Sequence, residues 1–510
     1  MNSVLIPEPQ SDVSVNGVGN HDRSMAVGIA WSAGAKWSGQ VVSWVAFLFV
    51  TRLLAPSDFG LVGMALLYCG LLQVVTDAFG TAVTTLRELS AEQLAQLNSV
   101  ALCVGFLASL LSCVLAIPIG YFFRSPRLPF VIVVMSSMFL VSGLRTVPYS
   151  LLYKDMRFRL LSILDTVQAI AQAGTMLTLA WLGFGYWALI IGNIVGAAVL
   201  AALQVSWRPS RFARPKYSSI QSAMTFSRHI VVTNISWYGY TNADFLVAGR
   251  VLGQSALGAY TLAWSLATIP LEKVAAIVGK VSYSYLSAAQ NDHAALRRYL
   301  RILTEGLSII TFPATIGMAF VAGDFVRLVL GIKWQSAILP LEILAFYAAF
   351  RCIAMLVPSI LIATGETRFV MRTTQAGLIL LPAAFYVGSR WGPSGIAFGW
   401  VAAYPVIAAY FYRRAFQKIA MPWRDYLSAI RPALTGCVFM VAAVEMAKYF
   451  LAAGVPLSLR LGAEIVVGGL AYILTLTAFH RERFAVFWNF VKALRNPART
   501  TAAVEETLCP

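Results

Sequence analysis

Long apolar runs alternate with short polar segments along almost the whole chain. Each run is close to the roughly 20 residues that a helix needs to cross the hydrocarbon core of a bilayer. In order, the runs predict fourteen spans, at 25–51, 58–83, 97–121, 128–147, 160–182, 185–207, 224–249, 254–281, 300–323, 335–364, 369–389, 393–412, 430–451 and 461–480. The runs are continuous and lack the apolar–polar alternation of a barrel strand, so the spans read as helices. The seventh and eighth carry the most polar residues. Residues 1–24, ahead of the first run, are polar without a long apolar core and read as a cytoplasmic tail, not a signal peptide.

Composition agrees with the pattern. Of 510 residues, 59% are apolar and 12% charged, against roughly 45–50% and 25% in soluble domains. A soluble enzyme built around a polar cleft, a disordered chain and a disulfide-stapled fold are all excluded. The net charge of +17 would suggest nucleic acid in a soluble protein, but its placement gives it another meaning. With the N-terminus inside, 28 of the 39 Lys and Arg fall in cytoplasmic segments, 9 in outer loops, and two, Lys36 and Arg351, within spans. That bias predicts cytoplasmic termini and no nucleic-acid partner. Cys69, Cys103, Cys113, Cys352 and Cys437 lie in apolar runs and Cys509 in the tail, with neither a CxxC nor a His at metal spacing. No metal or cofactor is expected.

Loop lengths narrow the function. No outer loop in this map exceeds about a dozen residues, which leaves little room for a glycosyltransferase or polymerase site. The cytoplasmic loops hold no GxxxxGK[ST] phosphate cradle, so the chain does not drive a pump with ATP. A transporter, a channel or a scaffold remains.

The chain repeats itself. RLLAPSDFGLVGMA (Arg52 to Ala65) and RVLGQSALGAYTLA (Arg250 to Ala263) coincide at five of fourteen positions, 198 residues apart. GFGYWAL (Gly183 to Leu189) is echoed by GPSGIAF (Gly392 to Phe398), each before the last span of a six-helix unit. An even number of spans per unit predicts two lobes in the same orientation, related by an axis along the membrane normal. The expected organisation is a tail over 1–24, a first lobe over 25–207 and a linker over 208–223. A second lobe over 224–412, helices thirteen and fourteen with their loop over 413–480, and a tail over 481–510 complete it.

At TRLLAPSDFG (Thr51 to Gly60), PYSLLYKDMRF (Pro148 to Phe158), GFGYWAL and DFLVAGRVLGQSALGAY (Asp244 to Tyr260), the sequence resembles one branch of a known superfamily. This is the polysaccharide-transporter branch of the multidrug/oligosaccharidyl-lipid/polysaccharide flippases, which includes Wzx-type O-antigen and exopolysaccharide repeat-unit flippases. The resemblance implies two six-helix lobes around a central cavity plus two C-terminal helices. It also implies transport of an undecaprenyl-diphosphate-linked oligosaccharide from the inner to the outer leaflet of a bacterial cytoplasmic membrane, without enzymatic chemistry. Implied partners are that glycolipid, membrane lipids and a polysaccharide polymerase or export complex, with a monomer as the working unit. Competing readings are small-molecule efflux, peptidoglycan-precursor flipping, or a non-transporting scaffold in glycan assembly.

Ionisable groups within spans usually face a bundle interior or a watery cavity. Lys36 shares a helical face with Ser32, Gln40 and Ser43 and is placed to attract a diphosphate; its competing role is a structural pair with Asp77 or Asp165. Arg351 is the second deep cation, and its planar guanidinium suits phosphate or anionic sugar. Asp165, Gln168 and Gln172 form a stripe on the fifth span, and Asn234, Tyr238, Thr241 and Asn242 one on the seventh; both suit sugar hydroxyls or, alternatively, interhelical hydrogen bonds. Asp77, Asp244, Arg250, Glu272 and Lys273 are candidate coupling or gating residues. For Asp244 the competing role is a cap or a pair with Arg250, and for Glu272 and Lys273, beside Pro270, the cytoplasmic exit of the eighth span. The basic group Arg208, Arg211, Arg214 and Lys216 is expected to meet anionic headgroups.

Overall fold

The computed structural model describes residues 40, 43–86, 89–288, 292–451, 455–481 and 483, with the backbone alone over 273–288. All elements among the described residues are helical. They are α1 (Ser43–Leu53), α2 (Pro56–Thr85), α3 (Ala91–Phe122), α4 (Leu128–Lys154, interrupted at Ser136), α5 (Phe158–Trp181), α6 (Tyr186–Trp207) and α7 (Tyr217–Val247). There follow α8 (Gln254–Ala288), α9 (His293–Phe325), α10 (Ile338–Ala354, continued by Leu356–Ala363), α11 (Thr367–Gly388), α12 (Gly392–Ile419), α13 (Trp423–Leu451) and α14 (Leu457–Phe479). Ten helical runs among the described residues are long and apolar enough to cross a membrane; the polar α7 is not one of them. The first expected span, 25–51, lies mostly outside the described residues, which therefore do not fix the expected total of fourteen.

Local chemistry sets the helix starts. Asp58 accepts from the Ala55 N–H, and Pro56 opens α2, where its missing N–H has no intrahelical partner to lose. Ser90 and Gln93 form a capping box at the start of α3. Gln93 also donates to the Ser219 carbonyl, tying the start of α7 to that of α3. The Asp292 carboxylate caps α9 by accepting from the Ala295 and Ala294 N–H groups, which hold it below the ordinary carboxylate range.

In the first half, α4 packs on α2, α3 and α6, and α6 on α5; in the second, α10 packs on α8, α9 and α12, and α11 on α7 and α12. Helices α13 and α14 pair and dock on α9. The halves meet chiefly where α2 crosses α7 and α8. At that crossing a Cβ on Gly60 would collide with the Gln254 carbonyl, and one on Gly258 with the Pro56 carbonyl. Both helix starts therefore approach to backbone contact, which glycine alone permits.

Side chains reinforce this end from both directions. Trp334 Nε1 donates to the Thr51 carbonyl at 3.0 Å and Arg52 Nη1 to the Leu328 carbonyl at 3.2 Å. In return, the Arg250 guanidinium lies 5.3 Å from the Phe122 ring centroid, and Gln254 Nε2 donates to Ser125 Oγ at 2.6 Å. Arg52 and Arg250 occupy matching positions in the repeated segment, and each reaches the end of the third helix of the other half.

Three boundaries differ from the pattern of apolar runs. Helix α4 runs on to Lys154, so Arg145, assigned to a cytoplasmic segment, lies inside a helix. Its nine residues to the helix end span about 13 Å. Helix α8 continues through Pro270 to Ala288, seven residues beyond the expected end of the eighth span, so Pro270 does not end it and Glu272 and Lys273 lie within the helix. Helix α7 begins at Tyr217, inside the segment expected as linker. In each case the helix reaches past the apolar run into polar residues.

Candidate functional site

The sequence brings polar groups to the interior of both halves. In the second half, Asp244 of α7 is fully buried, and its Oδ2 accepts from Tyr260 Oη at 2.6 Å and Trp400 Nε1 at 3.0 Å. Its Oδ1 is buried with no hydrogen-bond partner among the described residues. The expected pair with Arg250 is not formed: Arg250 lies over Phe122 instead. Asp244 bolts α7 to α8 and α12.

Arg351 of α10 lies 5.7 Å from the Trp264 ring and 5.8 Å from that of Tyr347. Tyr347 stacks on Trp400 at 4.8 Å and meets Tyr404 edge-on. No carboxylate among the described residues comes within ion-pair distance of Arg351. The guanidinium is thus half-buried, held by aromatic faces, with its charge uncompensated at close range.

In the first half, Gln73 Nε2 bridges Asp77 Oδ1 at 2.8 Å and Ser142 Oγ at 2.6 Å. Asp77, Arg145, Tyr149 and Asp165 interact electrostatically across α2, α4 and α5. Gln168 donates to Gln172, and Gln172 to Asn193 Oδ1 at 3.0 Å. Gln172 and Asn193 line a cavity of about 390 Å³ that also meets Ser43, Trp44, Thr261 and Ser265, and so lies between the halves.

The expected stripe on α7 is largely committed to packing. Tyr238 Oη donates to the Leu67 carbonyl of α2 at 2.8 Å, and Asn242 bonds to Tyr238 O and Thr241 Oγ1 on its own helix. Asn234, on the same side, is half-buried. Glu272 is exposed, with Thr268 Oγ1 3.5 Å away. Gln40 is described and half-buried, whereas Lys36 and the Lys273 side chain lie outside the described residues. Of the linker cations, Arg208 pairs with Asp155 at 3.6 Å.

Arg145, Gln73 and Asn193 were missed by the sequence reading. One signal for Arg145 was available. VPYSLL (Val147 to Leu152) and VPSILI (Val357 to Ile362) occupy matching places in α4 and α10. Arg145 precedes Pro148 by three residues and Arg351 precedes Pro358 by seven. Positions three and seven share a helical face, so the two cations lie on equivalent faces one turn apart.

The helical architecture, with two halves meeting at matched helix starts around a polar interior, is that of a multi-pass membrane transporter of the multidrug/oligosaccharidyl-lipid/polysaccharide flippase class. A solved structure of the lipid II flippase MurJ in an inward closed conformation shares the fold, at TM-score 0.72 and 15% identity over 89% of this chain and 99% of that one. Residues 49–339 match the family described as "Polysaccharide biosynthesis protein", and the chain belongs to that family. It is 25% identical to the lipopolysaccharide biosynthesis protein WzxC of Escherichia coli (strain K12), over 72% of this chain and 77% of that one. It is also 24% identical to the teichuronic acid biosynthesis protein TuaB of Bacillus subtilis (strain 168), over 79% and 85%. The resemblance drawn from the sequence motifs is borne out.

Proposed function

We propose that the protein is a flippase that moves a lipid-diphosphate-linked oligosaccharide repeat unit from the inner to the outer leaflet of a bacterial cytoplasmic membrane. The supporting observation is the asymmetry of the interior. The two halves seal against each other at the starts of α2 and α8, a cavity that meets Gln172, Asn193, Thr261 and Ser265 lies between them, and Arg145 and Arg351 stand within a helix of each half. With both termini cytoplasmic, the seal faces outward and the polar interior faces the cytoplasm, which is the loading state of an alternating-access cycle. The lipid tail stays in the bilayer, the diphosphate is drawn by Arg351 and Arg145, and the glycan occupies the hydrated space. Rocking the halves apart at Gly60 and Gly258 releases the head group outside. No bond is made or broken, so the protein is a transporter and not an enzyme. Lys36, Gln40, Asp165, Gln168 and Gln172 belong to the same substrate path on this reading. A monomer is the working unit, and a polymerase or export complex takes the product.

Depleting the protein should leave the lipid-linked repeat unit on the cytoplasmic face, where an impermeant periplasmic probe of the glycan cannot reach it. Continued appearance of the unit on the outer face would overturn the assignment.

A further inference from the structure

Helix α7 carries a second polar stripe, opposite the one that packs on α2. Ser218, Ser222, Thr225, His229, Thr233 and Ser236 follow one another at spacings of four, three, four, four and three, and all six are exposed. Such spacing keeps them on one face. The opposite face is covered: Ile220 and Ala223 are buried against Ala82, Val83, Leu97 and Val147, and Ser227 Oγ lies 3.5 Å from the Ala78 carbonyl.

The stripe runs for nineteen residues from Ser218 to Ser236, a rise of about 27 Å along the helix. That is close to the roughly 30 Å thickness of the hydrocarbon core and several times the depth of one headgroup layer. Against acyl chains Ser218, Ser222, Thr225 and His229 would be left without hydrogen-bond partners, so this part of the face borders water. At its cytoplasmic end, Ser218, Gln221, Ser222, Thr225, Phe226 and His229 line an open groove of about 650 Å³. The side chains of Ser218, Gln221, Ser222, Thr225 and His229 make no hydrogen bond to any described residue. Thr233 and Ser236 donate to the carbonyls of His229 and Val232, which leaves their oxygens free to accept.

We infer that this face of α7 is the glycan track: the stripe binds the neutral, hydroxyl-bearing sugars of the substrate and sets which repeat unit is accepted. The inference rests on the flippase reading and adds the location and chemistry of the sugar subsite. Hydroxyls, a carboxamide and an imidazole both donate and accept, matching sugar hydroxyls, which do the same. Phe226 supplies an apolar face for sugar C–H edges. A diphosphate calls for fixed cations, and the six stripe residues include neither Lys nor Arg. The three parts of the substrate are therefore sorted by chemistry: tail to bilayer, phosphates to Arg145 and Arg351, sugars to α7.

The test compares two probes: bare undecaprenyl diphosphate, and the lipid-linked oligosaccharide fraction extracted from the source cells. Ser222→Ala combined with Thr225→Val removes two hydroxyls with little change in volume. The double variant should bind the glycolipid fraction at least tenfold more weakly and the bare carrier within twofold of the native protein. Thr225→Trp, which fills the groove, should do the same. Unchanged glycolipid binding by both variants, or an equal loss on both probes, would overturn the glycan track. Native protein that translocates glycolipid but binds it no better than the bare carrier would overturn the track and leave the flippase reading standing. Native protein that neither binds nor translocates either lipid would defeat both.

Discussion

Gly60 and Gly258 lie 198 residues apart in the chain, and each abuts the main chain that begins the other's helix, at the carbonyls of Gln254 and Pro56. The contact is reciprocal and lies in the segment that the two halves repeat 198 residues apart. A methyl group at either position forces backbone apart. Overpacking of this kind costs about 1–3 kcal/mol, which shifts the ratio of sealed to open molecules by roughly 5- to 150-fold. Gly60→Ala and Gly258→Ala should each raise the labelling of a cysteine placed at Ser265 by an impermeant reagent added outside, in a background without the native cysteines. Unchanged labelling would show that the seal lies elsewhere.

Arg351 should matter for transport and little for folding. Its guanidinium rests on Trp264 and Tyr347 with no carboxylate at ion-pair distance, and Asp244, the buried carboxylate it interacts with at longer range, keeps its hydrogen bonds from Tyr260 and Trp400 when Arg351 is removed. Arg351→Ala should lower export at least tenfold while the melting temperature stays within about 3 °C. Arg351→Lys should recover part of the export, because charge is kept while planar, bidentate contact is lost. A large fall in melting temperature without loss of export per folded molecule would reverse the assignment.

Asp244 is expected to behave in the opposite way. Tyr260 and Trp400 both donate to one of its oxygens inside the protein, and an orphaned buried donor costs about 1–3 kcal/mol. Asp244→Leu should therefore unfold markedly earlier in a thermal ramp, and Asp244→Asn, which keeps an acceptor, should not. If the Asn variant is stable but inactive, the carboxylate takes part in coupling as well as in packing.

Glu366, in the turn between α10 and α11, accepts from Arg414 at 2.9 Å with Lys418 at 3.4 Å, and these cations hold it below the ordinary carboxylate range. A carboxyl depressed on folding contributes stability above its unfolded pKa and loses that contribution as pH falls through the folded value. The melting temperature of the native protein should exceed that of Glu366→Gln near neutrality, and the gap should close below about pH 4. A gap that widens in acid would contradict the pairing.

The substrate itself can supply the driving force. A diphosphate diester carries about two negative charges, and an inside-negative potential is worth roughly 2.3 kcal/mol per charge per 100 mV, or about 4–5 kcal/mol in all. Outward transport in proteoliposomes should accelerate with that potential in the absence of a sodium or proton gradient. A rate indifferent to potential and dependent on one ion gradient would point to Asp77, Asp165 or Asp244 as the driver.

The fold was legible because apolar runs of bilayer length report helices directly, and the repeated Arg–Leu–Ser–Gly–Ala segment marked where the halves meet. The site was legible only in part. Arg351 stood out because its run was unbroken on both sides, whereas Arg145 lay in a polar stretch that reads as loop, although α4 continues through it. On α7 the sequence offers two polar stripes, and nothing in their periodicity tells which one packs. Tyr238 on the Leu67 carbonyl settles that, and it is a contact between segments 171 residues apart. For Asp244 the sequence offered a coupling role, a cap or a pair with Arg250, and not its packing role, because its partners Tyr260 and Trp400 lie on other helices.

The meeting point of α2 and α8 is made of main chain and glycine, and among the described residues no ion pair joins the two halves. Separating an ion pair would require both charges to find water at once. Separating two close backbones gives up dispersion, lost gradually over many weak contacts, and the hydrogen bonds beside them, from Trp334 to Thr51, Arg52 to Leu328 and Gln254 to Ser125, can pass to water one at a time. Opening can therefore be incremental, with no ion pair whose rupture sets the rate. The rate should fall to how fast the bulky glycan clears the widening gap, so larger repeat units should emerge more slowly than small ones on the same carrier.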